Sequence, residues 1–402
     1  METDSSTRRG TGEQRIARVP SAALAQLLAR TDACVVDLRS PGEYAHDHLP
    51  GARNVPLFDD LERALIGTLY RQRSPQAAFE AARAHALARI RGLSDELGSL
   101  VGWQAPADLE PLLLAMTAGG YEPMQSELEL ERAPQLAPQP LVLNCWRGGM
   151  RSRSVGAFLQ RLGFARAYVL EGGYESWRAH VREQLAGWRA PRTYVLRGLT
   201  GVGKTLVLRE LERLRPGWTI DLEALAGHRG SVLGAVGLQP RSQKSFETGL
   251  CARIARGLAP VLVLEGESRK IGDSIVPERM HAALEAGLAL ELVAPLERRI
   301  DVLIADYLAR PEQRGQLLAR LPYLEQRLGR VSWHGRLTGL LERGEERELV
   351  RLLLERHYDP LYAHSERARV AAARFDASDP RACAVALASW IEADLAARGA
   401  RP

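Results

Sequence analysis

Two short runs carry residue types that do chemistry. The first is Asn144-Cys145-Trp146-Arg147-Gly148-Gly149-Met150-Arg151-Ser152. An apolar run precedes it and a helical pattern follows, so Cys145 falls on a strand-to-helix turn. Successive backbone N–H groups and a helix N-terminus then face the sulfur. Arg147 and Arg151 add positive charge. The segment Trp146, Arg147, Gly148, Gly149, Met150 and Arg151 is thus a candidate oxyanion loop, with Cys145 as candidate nucleophile. Cys34, Cys251 and Cys383 lack such flanks and read as inert core thiols.

The second run is Gly198-Leu199-Thr200-Gly201-Val202-Gly203-Lys204-Thr205. It follows the strand-like Thr193-Tyr194-Val195-Leu196 and precedes a helix, the context a phosphate loop requires. The backbone of Gly198, Thr200, Gly201, Val202 and Gly203 cradles a diphosphate, Lys204 adds a point charge, and Thr205 reaches Mg²⁺. Glu265 or Glu267, closing the apolar run Pro260-Val261-Leu262-Val263-Leu264, is the natural acid on the magnesium side; Thr205 and Glu265 are the candidate ligands. The loop recognises a diphosphate, and no base-recognition motif accompanies it, so ATP is not implied.

The elements that must position these loops follow from pattern and punctuation. Buried strands are expected over Ala33–Leu38, Leu141–Leu143, Ala167–Leu170, Thr193–Leu196, Pro260–Glu267 and Ala289–Val293. Helices are expected over Arg15–Arg30, after a short lead-in, and over Ser154–Gly163, Leu206–Leu214 and most of the chain after Leu296. The reading is an α/β protein: residues 1–14 disordered, 15–187 one domain with a helical insertion at about 57–130, 190–295 a phosphate-loop domain, and 296–402 a helical region packed on it. Asp221–Ser231, with two glycines, and the polar, basic Gln239–Glu247 read as surface loops near a phosphate site or, as the favoured alternative, as simple solvated loops.

Bulk composition narrows the class. At 402 residues with 46% hydrophobic and 26% charged content, the chain is an ordinary globular protein of about two domains. No apolar run reaches the about 18 residues of a membrane span, and the N-terminus lacks the apolar core of a secretory signal. Four scattered cysteines suit reduced thiols in the cytoplasm better than a disulfide frame. The net charge of +5 permits an anionic partner without requiring one. Of 54 basic residues only Lys204, Lys244 and Lys270 are lysines; Lys204 sits where a compact ammonium serves better than a planar guanidinium.

Val36-Asp37-Leu38-Arg39-Ser40-Pro41-Gly42-Glu43-Tyr44, then His48-Leu49-Pro50-Gly51-Ala52-Arg53-Asn54-Val55-Pro56, resemble the N-terminal signature of rhodanese domains. Glu171-Gly172-Gly173-Tyr174-Glu175-Ser176-Trp177 resembles their closing motif. The likeness covers residues 15–185, interrupted by the insertion. It implies that Cys145 carries sulfur or selenium. Five residues separate Cys145 from Arg151. Sulfurtransferases of this fold have a shorter loop, and the related dual-specificity phosphatases one of this length. The spacing suits a tetrahedral oxyanion such as a phosphate ester or selenophosphate, without choosing between them.

A rhodanese-like domain joined to a phosphate-loop domain, with His228-Arg229-Gly230-Ser231, Gln239-Pro240-Arg241-Ser242-Gln243-Lys244 and His357-Tyr358-Asp359-Pro360-Leu361-Tyr362, closely resembles the bacterial tRNA 2-selenouridine synthase family. The resemblance implies tRNA carrying 2-thiouridine at the wobble position as partner. It implies geranylation of the 2-thio group from geranyl diphosphate, then replacement of S-geranyl by selenium from selenophosphate through S-selanylcysteine at Cys145. Arginines within 296–370 are candidate phosphate contacts for tRNA. A cysteine phosphatase or sulfurtransferase fused to a phosphate-loop kinase is the competing enzyme reading. A binding module with a dead rhodanese domain is a third, against which the intact Cys145 argues.

Overall fold

The computed structural model describes residues 16–30, 33–133, 135–361 and 370–398. The expected disorder of 1–14, the start of the first helix at Arg15, and Tyr362 lie outside the described residues. The chain divides into two compact units, Met1–Arg182 and Glu183–Pro402; the division falls inside the helix Gly173–Gly187.

The first unit is built on a six-stranded sheet of β1 (Ile16–Val19), β2 (Cys34–Asp37), β3 (Arg53–Asn54), β4 (Leu130–Arg132), β5 (Leu141–Asn144) and β6 (Ala167–Leu170). Its order is β3-β2-β5-β6-β1-β4, and every pairing is parallel. All four residues of β5 and of β6 are buried, as strands covered on both faces must be. β1 corrects the expectation of a lead-in to a helix. Ile16 and Val19 are buried between β6 and β4, and tertiary pairing outweighs the weak local signal of a four-residue strand. β4 likewise ends the expected helical insertion in a strand. The insertion itself comprises the helices Asp60–Gln72, Pro75–Val101, Glu110–Thr117 and Tyr121–Glu127. Asp59 and Ser74 cap the first two through side-chain oxygens. Ile90, Leu93, Leu97, Leu113 and Met124 of these helices share one core with Val36, Leu141, Leu143 and Phe158.

The second unit holds β7 (Arg192–Arg197), β8 (Val261–Glu265), β9 (Lys270–Ile271), β10 (Ser274–Ile275), β11 (Leu288–Val293) and β12 (Ala373–Asp376). β9 and β10 form an antiparallel hairpin; the others form a parallel sheet in the order β12-β11-β7-β8. From β7 the chain goes first to β8 on one side, then to β11 on the other. This reversal places a crevice at the carboxyl end of β7, where open α/β sheets bind ligands. β12 corrects the expectation of an uninterrupted helical region after Leu296: its Ala-Arg-Phe-Asp sequence pairs with all of Leu290–Val293, and the helix Pro380–Ala397 packs its Leu387 and Ile391 into the core of the sheet. The helices Leu296–Tyr307, Pro311–Trp333, Arg336–Glu342 and Glu346–Leu353 make up most of the rest, with leucines 317, 321, 324, 337, 341 and 349 as their own core. No helix among the described residues is long and apolar enough to cross a membrane.

Candidate active sites in the cysteine loop and the phosphate loop

Cys145 follows β5 directly, and the helix Met150–Arg161 begins at the end of its loop, four residues earlier than the pattern suggested. Gly149 caps that helix without a side chain, so its first amides stay directed at the loop. Cys145 is buried, with Sγ 3.1 Å from Ser152 Oγ. The Glu171–Tyr174 turn holds the loop from behind. Tyr174 N donates to the Cys145 carbonyl at 2.8 Å, and Glu175 N to that of Trp146 at 3.0 Å. Gly173 has φ +59°, and a Cβ there would lie 2.3 Å from both the Cys145 oxygen and the Gly148 nitrogen. Gly148, at φ +60°, is as closely confined: a Cβ would meet the Leu170 oxygen at 2.7 Å. These two glycines let two turns interlock, which no other residue type allows.

The N-terminal signature supplies the next layer. Arg39 is fully buried and donates to both carboxylate oxygens of Asp37, from Nε at 3.0 Å and from an η nitrogen at 2.6 Å. Its guanidinium also donates to the Asp47 carbonyl and lies 3.8 Å above the Tyr174 ring. The Tyr174 hydroxyl donates to Asp47 at 2.8 Å; burial, then the charge of Asp47, pushes that phenol well above its ordinary range. Arg151 donates to Glu43 at 3.1 Å. Burial works to raise the Glu43 carboxyl, but Arg151 prevails and holds it below the usual range. Arg153 Nε fastens the Gly148 carbonyl at 2.8 Å. Arg147 is largely exposed beside Glu175, while Trp146 leans on Tyr174. Trp146, Arg147, Gly149, Met150 and Arg151 line a cavity of about 860 Å³ that opens towards the helical insertion.

The phosphate loop joins β7 to the helix Lys204–Leu214. Gly198, Gly201 and Gly203 all have positive φ. A Cβ on Gly198 would stand 2.4 Å from the Leu292 carbonyl, and one on Gly201 2.8 Å from that of Arg299. Val202 is buried, and Lys204 Nζ donates to the Gly198 carbonyl at 3.0 Å, curling over the loop. Thr205 Oγ1 donates to Glu265 at 3.2 Å. Arg299, buried on the helix after β11, donates to the Thr200 carbonyl at 2.9 Å and forks onto Asp359 at 2.5 and 3.0 Å. The run His357–Leu361 thus acts partly as a brace for the phosphate loop.

Glu265 is joined by two carboxylates. Glu223, Glu265 and Glu267 bring oxygens within 4.8 Å of one another. Burial, then mutual repulsion, raises Glu223 and Glu265 to about 8 and Glu267 to about 7, with Lys204 pulling the other way. Glu265 Oε1 is buried with no hydrogen-bond partner. An all-oxygen donor set with an orphaned carboxylate oxygen beside a phosphate loop fits Mg²⁺. Glu223 escaped the sequence reading because it sits in the segment read as a solvated loop. That segment is instead structured: Asp221 caps the helix Leu222–Ala226, which carries Glu223 inward, and Gly230 packs so near Glu267 that a Cβ would meet its carboxylate at 2.9 Å. The Gln239–Glu247 run is also corrected. Ser242 caps the helix Gln243–Ala255, and the Gln243 amide pairs with both backbone groups of Ile275.

Comparison with known proteins accords with this geometry. Residues 191–393 match the tRNA 2-selenouridine synthase AAA domain, and residues 21–89 and 115–180 match the rhodanese-like domain. A tRNA 2-selenouridine synthase of Cupriavidus necator is 30% identical over 410 residues, covering 94% of this chain and 100% of the relative. One from Pseudomonas syringae pv. syringae is 28% identical, covering 86% of this chain and 91% of the relative. One from Chromohalobacter salexigens is 29% identical, covering 85% and 90%. With a rhodanese domain that presents Cys145 and an AAA-type phosphate-loop domain alongside it in sequence, the chain belongs to the tRNA 2-selenouridine synthase family.

Proposed function

We propose that this protein converts 2-thiouridine at the wobble position of tRNA into 2-selenouridine in two stages, each served by one of the loops. In the first, the 2-thio sulfur attacks C1 of geranyl diphosphate. The S–C bond forms, the C–O bond breaks, diphosphate leaves with the electron pair, and the ring nitrogen gives its proton to solvent. Lys204 and the amides of Gly198–Gly203 receive the charge that develops on the leaving group. Mg²⁺ held by Glu223, Glu265 and Glu267, with Thr205, would neutralise more of that charge.

The observation that carries this reading is the hollow in front of the phosphate loop. It measures about 640 Å³, and its lining includes Lys204, Thr205 and the three carboxylates. Leu233, Leu303, Leu317, Leu349 and Leu353 also line it, as do the charged Arg209, Arg229, Asp306 and Arg327. A hydrocarbon chain ending in a diphosphate matches a site that combines ionic groups with aliphatic ones.

In the second stage Cys145 enters as a mixed disulfide with a small thiol. The selenium of selenophosphate attacks the Cys145 sulfur, the small thiol departs, and water cleaves the Se–P bond, releasing phosphate and leaving S-selanylcysteine. That selenium attacks ring carbon 2; the C–Se bond forms, the C–S bond breaks, and geranyl thiolate departs with the electron pair. The small thiol then attacks the Cys145 sulfur, which frees 2-selenouridine and restores the mixed disulfide, so the cycle consumes no net oxidant or reductant. A thioether on the ring leaves more readily than a thiocarbonyl sulfur, which accounts for the first stage. The loop amides, Arg151 and Ser152 serve the anionic donor and the Cys145 sulfur.

The test is mass spectrometry of nucleosides from thiolated tRNA incubated with this protein, geranyl diphosphate, selenophosphate and Mg²⁺. S-geranyl-2-thiouridine should appear first and 2-selenouridine after it. Release of inorganic phosphate from phosphate esters, with no change in the tRNA, would favour the phosphatase–kinase reading instead.

A further inference from the structure

The cavity beside the cysteine loop has no role in the reading above. Its volume, about 860 Å³, lies within the range of about 300–1,000 Å³ usual for small-ligand clefts. One wall is the cysteine loop and the start of the following helix, through Trp146, Met150 and Val155. The opposite walls come from the insertion, whose helices add Ile66, Phe79, Ala82, Ile90, Leu113 and Met124. Three of these, Ile66, Phe79 and Ala82, and Met150 of the cysteine-loop side are only partly buried although they pack on the core, so apolar surface faces the hollow. The charged residues among its lining are Arg63, Arg71, Arg83, Arg147, Arg151 and Arg153. Arg63 and Arg151 share Glu43 between them. An apolar interior with guanidinium groups fits a neutral hydrocarbon attached to something anionic.

We propose that this cavity receives the ten-carbon chain of the S-geranyl group during selenium transfer. The inference rests on the two-stage reading and adds a second hydrocarbon site to it, in the rhodanese unit. When the S-geranyl base is presented to Cys145, its sulfur must lie beside the carbon that selenium attacks, so the attached chain needs an apolar path starting at the cysteine loop. The hollow provides one. The arginines place positive charge where geranyl thiolate is released and where the tRNA backbone approaches. The insertion then has a chemical purpose: it makes the rhodanese unit select a prenylated base over a bare thiouridine.

The test compares tRNA bearing S-geranyl-2-thiouridine with tRNA bearing S-methyl-2-thiouridine, each given selenophosphate and a thiol. Wild-type protein should prefer the geranyl substrate by on the order of 100-fold in kcat/KM, as burial of several methylenes implies. Ala82→Trp, which fills the hollow from a helix, should reduce that ratio to within a few-fold. A second measurement needs no variant. S-geranyl tRNA with a photoreactive group at the end of the chain, bound to wild-type protein, should label peptides from Pro75–Leu93. Labelling confined to the leucine-lined helices of 303–353, or an undiminished geranyl preference in folded Ala82→Trp, would overturn the proposal. If wild-type protein makes no selenouridine from S-geranyl tRNA at all, the two-stage reading itself fails, and this site with it.

Discussion

Asp359 grips the Arg299 guanidinium through both carboxylate oxygens, and the Nε of the same guanidinium holds the Thr200 carbonyl of the phosphate loop at 2.9 Å. A residue about 160 positions from the loop in sequence (359 − 200 = 159) therefore sets the loop's shape through one intermediary.

Asp359→Ala should loosen the loop without touching any phosphate directly. Charge-assisted hydrogen bonds are worth about 1.5–3 kcal/mol, which corresponds to roughly a 10- to 100-fold loss. The loss should fall on geranylation, measured as kcat/KM for geranyl diphosphate. Asp359→Glu, which keeps the charge, should recover part of it. Conversion of pre-geranylated tRNA by the variant should stay near wild type.

Glu223, Glu265 and Glu267 predict an unusual pH dependence. Their folded-state values, about 8, 8 and 7, lie above the ordinary carboxylate range. The native state then holds more protons than the unfolded state between about pH 5 and 8, so stability from these groups is present at the acid end and lost as pH rises through 7–8. In metal-free buffer Tm should fall between pH 6 and pH 8.5. Mg²⁺ should raise Tm more at pH 8.5, where it replaces the missing protons. Glu265→Gln should flatten the metal-free profile. An equal Mg²⁺ effect at both pH values would remove the triad as a metal site.

The two loops were legible in the sequence because each is a local motif: an apolar strand, a glycine turn and a helix start lie within about a dozen residues. Glu265 was legible as the acid closing the strand β8. Glu223 was not, since its role depends on burial beside two carboxylates from another segment, and spacing alone cannot show that. β1, β4 and β12 were missed for a related reason. β1 and β4 have three or four residues with little alternation, and β12, though Ala-Arg-Phe-Asp alternates, is only four residues long; each becomes a strand because a parallel neighbour supplies the hydrogen bonds. The brace from Asp359 to Arg299 was equally invisible, though His357–Leu361 was singled out by resemblance.

Gly173→Ala tests how tightly the cysteine loop is held. The new Cβ would lie 2.3 Å from the Cys145 carbonyl, at a backbone conformation that L side chains rarely adopt. The loop must shift, and a displacement of about 1 Å at reacting atoms costs on the order of 100-fold. Selenouridine formation from S-geranyl tRNA should fall by that order, while geranylation of thiolated tRNA continues. Equal loss of both would indicate misfolding, which the melting curve would reveal independently.

The division of labour between Cys145 and Lys204 is the sharpest prediction. Each stage has its own leaving group and its own anionic donor, so each loop should be separable by mutation. Cys145→Ala should abolish selenium incorporation yet still geranylate, and S-geranyl-2-thiouridine should accumulate. Lys204→Ala removes the ammonium that curls over Gly198, and a point charge on a leaving diphosphate is worth several kcal/mol, so geranylation should fall by at least about 1,000-fold. The same variant should convert pre-geranylated tRNA when given selenophosphate and thiol. Single-turnover assays on both substrates decide the matter. If either variant lost both stages while remaining folded and binding tRNA, the two loops would have to act as one composite site, and the assignment of one leaving group to each would be wrong.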